Sequence, residues 1–213
     1  MKKTALILAV VVAGCATGSS PQADLTAGFD AMIKSGFEAN KIATLDRLKQ
    51  DDTQALCSDP AAATGAAAAP RRALIEKANL ASIKWPSDGK YLGDWKEGEK
   101  IAQSGRGLTW TDAAGQPNGG NCYNCHMIDK KEISFGTIGP SLYNYGKLRG
   151  VGDPDAAAAS TEMVKYTWGK IWNAKAYNAC SNMPRAGHMG ILTEQQIQHV
   201  MALLLDPKSP VNQ

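Results

Sequence analysis

The chain has 213 residues, of which 20% are charged and 7% are aromatic, and its formal net charge is +3. That length accommodates one domain with an extension, or two small domains. The net charge is small and no run of five or more like charges occurs. The composition therefore argues against nucleic-acid binding and predicts an ordinary solvated surface of mixed charge.

The N-terminus has the pattern of an export signal. Lys2 and Lys3 precede an apolar stretch at residues 5–13, which is too short to cross a bilayer as a helix. A positive start followed by such a stretch is typical of a secretory signal peptide. We therefore assign residues 1–15 to a signal peptide and residues 16–23 to a flexible leader, and we expect the mature protein in the periplasm.

The end of the signal peptide leaves two alternatives open. The sequence VAGC at residues 12–15 resembles the lipobox of bacterial lipoproteins, in which Cys15 would become the lipid-bearing N-terminus. Alternatively, an ordinary signal peptidase cleaves nearby and Cys15 is discarded. The first alternative adds a lipid anchor to the membrane, and both predict export.

Helical spacing of apolar residues predicts an N-terminal helical extension at residues 24–86. One pattern starts at a cap residue, Asp24, and runs to residue 37; a second covers residues 42–56 and ends near Cys57. A third starts at Pro70 and stops before residues 85–86. The alanine-rich run between the last two is interpreted as a linker, or as a helix with nothing specific to bury.

A second region, residues 87–213, is predicted to form the main domain. Helical patterns occur at residues 94–104 and 161–172, and Thr193 with Gln196 forms a capping box that opens a last helix. A glycine-rich loop covers residues 105–120. No strand-like alternation or hairpin signal occurs, so the predicted fold class is all-α.

The five cysteines separate by position. Cys15 belongs to the signal or lipid anchor, and Cys122 and Cys125 share one motif. Cys57 and Cys180 remain as an even pair in an exported chain, where free thiols are uncommon. We therefore predict a disulfide between them.

The motif is Cys122-Tyr123-Asn124-Cys125-His126, the CxxCH pattern of covalent heme attachment. Two thiols at this spacing reach the two vinyl groups of one porphyrin and add as thioethers, which places the following histidine under the iron. A zinc site would need a second ligand pair, and a thioredoxin-type motif would need βαβ context. The motif predicts one covalent heme c with His126 as the proximal iron ligand.

The residues alone leave several candidates for the sixth ligand. Met127 directly follows the proximal histidine and would lie on the wrong side of the ring. Met163 lies within a predicted helix among core residues. His188 and Met189 are flanked by glycines, and Met183 precedes a proline in the loop before the last helix.

The motif, followed by Gly139-Pro140 and by Met183-Pro184 before a C-terminal helix, resembles the class I cytochromes c. The resemblance implies the class I cytochrome c fold and makes Met183 the expected distal ligand, with His188 as the second choice. It also implies that the Gly-Pro turn packs beside the proximal ring and that its carbonyl accepts from the ring's other nitrogen. A filled sixth position favours electron transfer over chemistry on a bound small molecule.

A narrower resemblance covers roughly residues 90–213. GTIGPSL at residues 136–142, NACSNMPR at residues 178–185 and DPKSPVN at residues 206–212 are similar to the SoxX cytochromes of bacterial sulfur oxidation. The extension at residues 24–86 departs from the shorter members of that family. A bridge between Cys57 and Cys180 would fasten this extension to the loop that bears Met183.

The resemblance implies a role as an electron-transfer subunit, not itself catalytic, of an L-cysteine S-thiosulfotransferase complex. Its expected partners are a SoxA-type cytochrome in a heterodimer, the carrier SoxYZ and a downstream cytochrome that accepts electrons. The heme-binding residues carried over are Cys122, Cys125, His126 and Met183.

Two other functions remain open. One is a free-standing periplasmic electron shuttle of a respiratory chain, and the other is a small heme enzyme or sensor with an open sixth site. A SoxX-type subunit is expected to present an apolar patch near the heme edge, whereas a shuttle keeps a polar ring.

Overall fold

The computed structural model describes residues 25–149, residue 151 and residues 162–213. The chain divides into two compact units, Met1–Glu38 and Ala39–Gln213. The predicted signal peptide, the leader and Cys15 lie outside the described residues, as does the predicted cap Asp24.

The first unit contains helix α1 (Leu25–Gly36). The backbone N–H of Phe37 donates to the carbonyl of Ile33 at 3.2 Å, which continues the helical pattern by one residue. The helix predicted from the apolar spacing in residues 24–37 is thus confirmed.

The second unit begins with a series of short helices. These are a 3₁₀ turn at Leu45–Leu48, α2 (Asp52–Ser58), α3 (Pro60–Thr64), a 3₁₀ turn at Ala66–Ala68 and α4 (Ala69–Ala81). The single helical pattern predicted over residues 42–56 is wrong, because a new helix starts at residue 52. Asp51 accepts from the backbone N–H of Gln54, and the Gln54 side chain accepts from the Asp51 N–H, so a capping box restarts the chain there.

The alanine-rich run is helical rather than a linker. Asp59 accepts from the N–H of Ala61 and caps α3, and Ala62 is buried. The Arg72 guanidinium in α4 donates to the carbonyls of Ala62 and Gly65 at 2.7 and 2.9 Å. The run therefore forms a folded layer with α4.

The remaining helices are α5 (Trp95–Gln103), α6 (Tyr145–Leu148), α7 (Glu162–Trp172) and α8 (Glu194–Leu205). Short 3₁₀ turns occur at Cys122–Asn124, Ala174–Ala176 and Pro210–Asn212. Within the described residues there is no β-strand, and Asn40 and Ala43 form an isolated bridge. The all-α prediction is confirmed, as are the helices predicted at residues 94–104 and 161–172.

The core forms where α5 packs on α8. Gly98 faces the backbone of His199 so closely that a side chain there would overlap it, which lets the two helices approach. Trp168 of α7 is fully buried; it meets Tyr91 edge-on at 5.6 Å and stacks beside Trp172 at 6.0 Å between ring centroids. The residues of α8 that are completely buried are Ile197, Met201, Leu203 and Leu205.

Residues 39–86 pack into the same compact unit as residues 87–213. The Trp168 indole N–H donates to the carbonyl of Lys84 at 2.8 Å, and the amide of Asn173 donates to the buried side chain of Asn79 at 2.8 Å. The division predicted at residue 87 stays a prediction from the sequence pattern. Of the helices that the structure describes, none has the length and apolar character needed to cross a bilayer.

Candidate heme site

The CxxCH motif forms a single tight turn. Asn121, in the left-handed region with φ 50°, precedes the 3₁₀ turn Cys122–Asn124. The N–H groups of Cys125 and His126 both donate to the carbonyl of Cys122, at 3.1 and 3.0 Å. Neither cysteine is in a disulfide, so both sulfurs are available for thioether bonds, and burial raises the pKa of the Cys122 thiol to about 12.

The glycine-rich loop before the motif is fixed to the end of α5. The N–H groups of Gly119, Gly120 and Asn121 donate to the carbonyls of Arg106, Ile101 and Ser104, at 2.7, 2.8 and 2.9 Å. A side chain at Gly119 would overlap the Ser104 backbone. Glycine is therefore needed there for the loop to deliver the motif to the core.

Tyr123, inside the motif, anchors the turn through a buried polar contact. Its hydroxyl donates to the Glu99 carboxylate at 2.9 Å and accepts from the N–H of Asp129 at 3.3 Å. Burial raises the pKa of Glu99, and the nearby carboxylates of Asp129 and Glu132 add to this effect. This role of Tyr123 has no signature in the sequence, because the two x positions of CxxCH carry no chemical requirement.

The His126 ring is held in one orientation. Its Nδ1 lies 2.7 Å from the carbonyl oxygen of Pro140. A carbonyl oxygen only accepts, so Nδ1 carries the proton and Nε2 is left with a free lone pair. The ring packs against Gly139, where a side chain would overlap it. The contact expected from the Gly-Pro turn is confirmed, and it leaves Nε2 able to bind a metal.

Met183 lies in the loop before α8, half-buried against the core. Its N–H donates to the Ser181 hydroxyl at 3.2 Å, and the Lys175 ammonium donates to the Ser181 carbonyl at 3.0 Å. After Met183, the N–H groups of Gly187 and His188 donate to the carbonyl of Trp172 at 3.2 and 3.0 Å. The loop is thus bonded to the core on both sides of its methionine.

The other sixth-ligand candidates have different surroundings. Met163 packs against the core, with its sulfur 3.9 Å from the Tyr145 hydroxyl, and Met189 is exposed. His188 is exposed, with Nδ1 3.3 Å from the Ser82 hydroxyl. Desolvation and the positive charge of Arg185 lower the pKa of His188.

One feature of the described residues fits a porphyrin. The buried indole N–H of Trp172 has no partner within the described residues, and it would suit a propionate oxygen. No group of three or more His, Cys, Asp or Glu able to hold a metal ion occurs in the part of the chain that the structure describes.

Cys57 and Cys180 are joined in a disulfide, with their Cα atoms 5.3 Å apart. That separation lies within the ordinary range for such bridges. The bond links α2 to the segment three residues before Met183. Arg185, two residues after Met183, contacts the Asp51 carboxylate at 2.6 Å.

The all-α fold and this site define the class of protein. Residues 96–207, more than half of the chain, match the cytochrome c family, and the chain belongs to that family. Its cofactor is therefore covalently bound heme c, as the CxxCH motif predicts. The chain is also similar to a protein of Aquifex aeolicus (strain VF5) named "Uncharacterized lipoprotein", with 38% identity over 168 residues, 76% of this chain and 73% of that protein.

Proposed function

We propose that the protein is a mono-heme electron-transfer subunit of the SoxX type, which works with a SoxA-type cytochrome in thiosulfate oxidation. The observation that carries the electron-transfer part is the His126 ring, locked by Pro140 with Nε2 free, beside two free thiols. The sulfur-oxidation part rests on the sequence segments at residues 178–185 and 206–212, which resemble the SoxX cytochromes.

In this proposal Cys122 and Cys125 form the thioether bonds and His126 is the proximal ligand. Met183 is the distal ligand, because it is the methionine on a loop bonded to the core on both sides. Heme c then supplies one-electron chemistry, and a thioether ligand raises its reduction potential relative to a second histidine. Held by His126 and Met183, the heme would serve electron exchange, with no position left for a substrate.

The reaction served by the complex requires such a relay. Joining thiosulfate to a carrier thiol, R–SH + S₂O₃²⁻ → R–S–S–SO₃⁻ + H⁺ + 2e⁻, forms one sulfur–sulfur bond and releases an electron pair. One heme iron holds one electron at a time, so the subunit passes the pair onward in two steps to a downstream cytochrome.

A partner surface is supported by the exposed apolar side chains beside the motif. Ile133, Phe135 and Ile138 lie within six residues of each other and are all exposed. An exposed apolar group of this kind beside a redox centre favours a stable partner over transient contacts. We assign it to the SoxA-type cytochrome.

We also propose that the protein is exported and tethered to the membrane through Cys15. Its support is the lipobox-like sequence at residues 12–15, together with the word lipoprotein in the name of the Aquifex aeolicus relative. A single lipid chain binds membranes only marginally, and the tether therefore requires more than one acyl chain.

The test is co-purification of the tagged holoprotein from thiosulfate-grown cells of its source, with partners identified by mass spectrometry. Recovery of a second c-type cytochrome in fixed stoichiometry, with thiosulfate-dependent reduction of the heme, is the expected result. Recovery alone or with a terminal oxidase would identify a free-standing shuttle instead and overturn the sulfur-oxidation role.

A further inference from the structure

The loop of residues 179–188, here called the distal loop, is fastened before Met183 by residues of the N-terminal layer. Cys180 is bonded to Cys57 at the end of α2. The N–H of Ala179 donates to the Glu76 carboxylate of α4 at 2.9 Å. These contacts join positions more than 100 residues apart, so they fix the start of the distal loop to a separate element.

A second contact fastens the distal loop after Met183. The Arg185 side chain, 7% exposed, donates to Asp51 at 2.6 Å. Asp51 is also the N-cap of α2, whose Cys57 forms the disulfide. One short helix therefore holds the distal loop at two points, three residues before Met183 and two residues after it.

The Asp51–Arg185 ion pair lies in an open cleft of about 390 Å³, lined by side chains of α2 and α4 and by Arg185 and His188. Besides the bonds of Gly187 and His188 to the Trp172 carbonyl, this ion pair and the 3.3 Å contact of Ser82 with His188 Nδ1 join the loop after Met183 to the N-terminal layer. An ion pair with one nearly buried partner is also screened less than one at the surface.

We propose that Asp51 and the Cys57–Cys180 disulfide are positioning groups for the distal heme ligand, holding both flanks of the distal loop so that the Met183 sulfur stays at the iron. This inference rests on the heme ligation proposed above. Outer contacts of this kind orient metal ligands and affect metal binding when they are removed.

The experiment measures the affinity of the ferric holoprotein for imidazole, which competes with Met183 for the iron. The informative variant is Asp51→Asn, because asparagine still caps a helix but carries no charge for Arg185. The matched control is Asp94→Asn, which removes one negative charge from the N-cap of α5, where the side chain accepts from the backbone N–H of Lys96.

We expect Asp51→Asn to bind imidazole about tenfold more tightly than the wild type. The double variant Cys57→Ala/Cys180→Ala shifts the affinity in the same direction, and Asp94→Asn leaves it unchanged. Asp51→Glu, which keeps the charge, restores part of the wild-type affinity.

Equal imidazole affinity in the wild type, Asp51→Asn and the cysteine double variant would overturn the inference. An effect of Asp51→Ala with none of Asp51→Asn would also overturn it, since the cap and not the charge would then matter. Absence of the methionine–iron charge-transfer band in the wild type would instead reject Met183 as ligand. The single Asp51→Asn variant decides the question even where the cysteine variant does not fold.

Discussion

At the scale of single residues, the site depends on which nitrogen of His126 carries the proton. The Pro140 carbonyl accepts from Nδ1 at 2.7 Å, and this selects the tautomer with a free Nε2. Gly139 must lack a side chain for the ring to lie there. Two neighbouring residues of one turn thus set both the chemistry and the position of the proximal ligand.

Replacing Met183 by alanine tests the distal ligand. We expect the methionine–iron charge-transfer band of the ferric protein to disappear and the ferrous protein to bind carbon monoxide, because the sixth position is opened. Absorption spectroscopy of both oxidation states measures this. Met189→Ala, an exposed methionine close by, is the control, and a band that survives in Met183→Ala would contradict the assignment.

His188 gives the stability of the protein a pH dependence of defined sign. Its pKa is lowered from 6.5 in the folded protein, first by desolvation and then by Arg185. At a pH above its pKa in the unfolded chain, His188 is neutral in the folded and in the unfolded chain. As the pH falls from about 6.5 through the lowered folded pKa, the unfolded chain takes up a proton first, so stability decreases.

We therefore expect His188→Gln to lose less stability than the wild type between about pH 7.5 and about pH 5. Guanidinium unfolding of the holoprotein at both pH values measures the difference. Identical pH dependence in the two proteins would show that another group is responsible, and His199→Gln serves as the comparison histidine variant.

At the scale of elements, caps explain where helices begin. The capping box predicted for Thr193 and Gln196 is confirmed, with the Thr193 hydroxyl accepting from the Gln196 N–H at 3.2 Å. A second box at Asp51 divides residues that share one apolar spacing. The spacing of apolar residues alone does not reveal that a new helix starts at Asp51. The Asp51 side chain bonds to nearby backbone N–H groups, and this contact competes with continuation of the preceding helix.

Thr193→Ala removes the cap of α8, the helix that carries much of the buried core. We expect a loss of about 1 kcal/mol in the free energy of unfolding. Thr193→Ser keeps a hydroxyl and should lose much less. Denaturant unfolding of the two variants measures the contribution, and equal losses would show that the hydroxyl does not act as a cap.

At the scale of the whole molecule, the disulfide joins positions separated by 123 residues. A bridge that closes so long a loop restricts the unfolded chain strongly. We expect Cys57→Ser/Cys180→Ser to lower the free energy of unfolding by about 2–5 kcal/mol.

Equilibrium unfolding of the holoprotein, which retains the heme cross-link, measures this loss. The wild type with a reductant that cleaves the bridge is the matched comparison. A variant as stable as the wild type would show that packing between α4 and Ala174–Ala176 suffices to hold the N-terminal layer.

The sequence by itself determined the all-α class, most helices and the heme motif. It also gave the pairing of Cys57 with Cys180 as a hypothesis. These follow from local periodicity, from the fixed spacing of thiols and histidine, and from the number of cysteines. Local patterns of this kind need no knowledge of distant parts of the chain.

The tertiary structure decided what depends on contacts between distant residues. Tyr123 contacts Glu99, Arg185 contacts Asp51, and residues 39–86 share a compact unit with the heme motif. None of these contacts has a signature in local sequence, because a buried polar pair is defined by the geometry of two elements brought together in the folded chain.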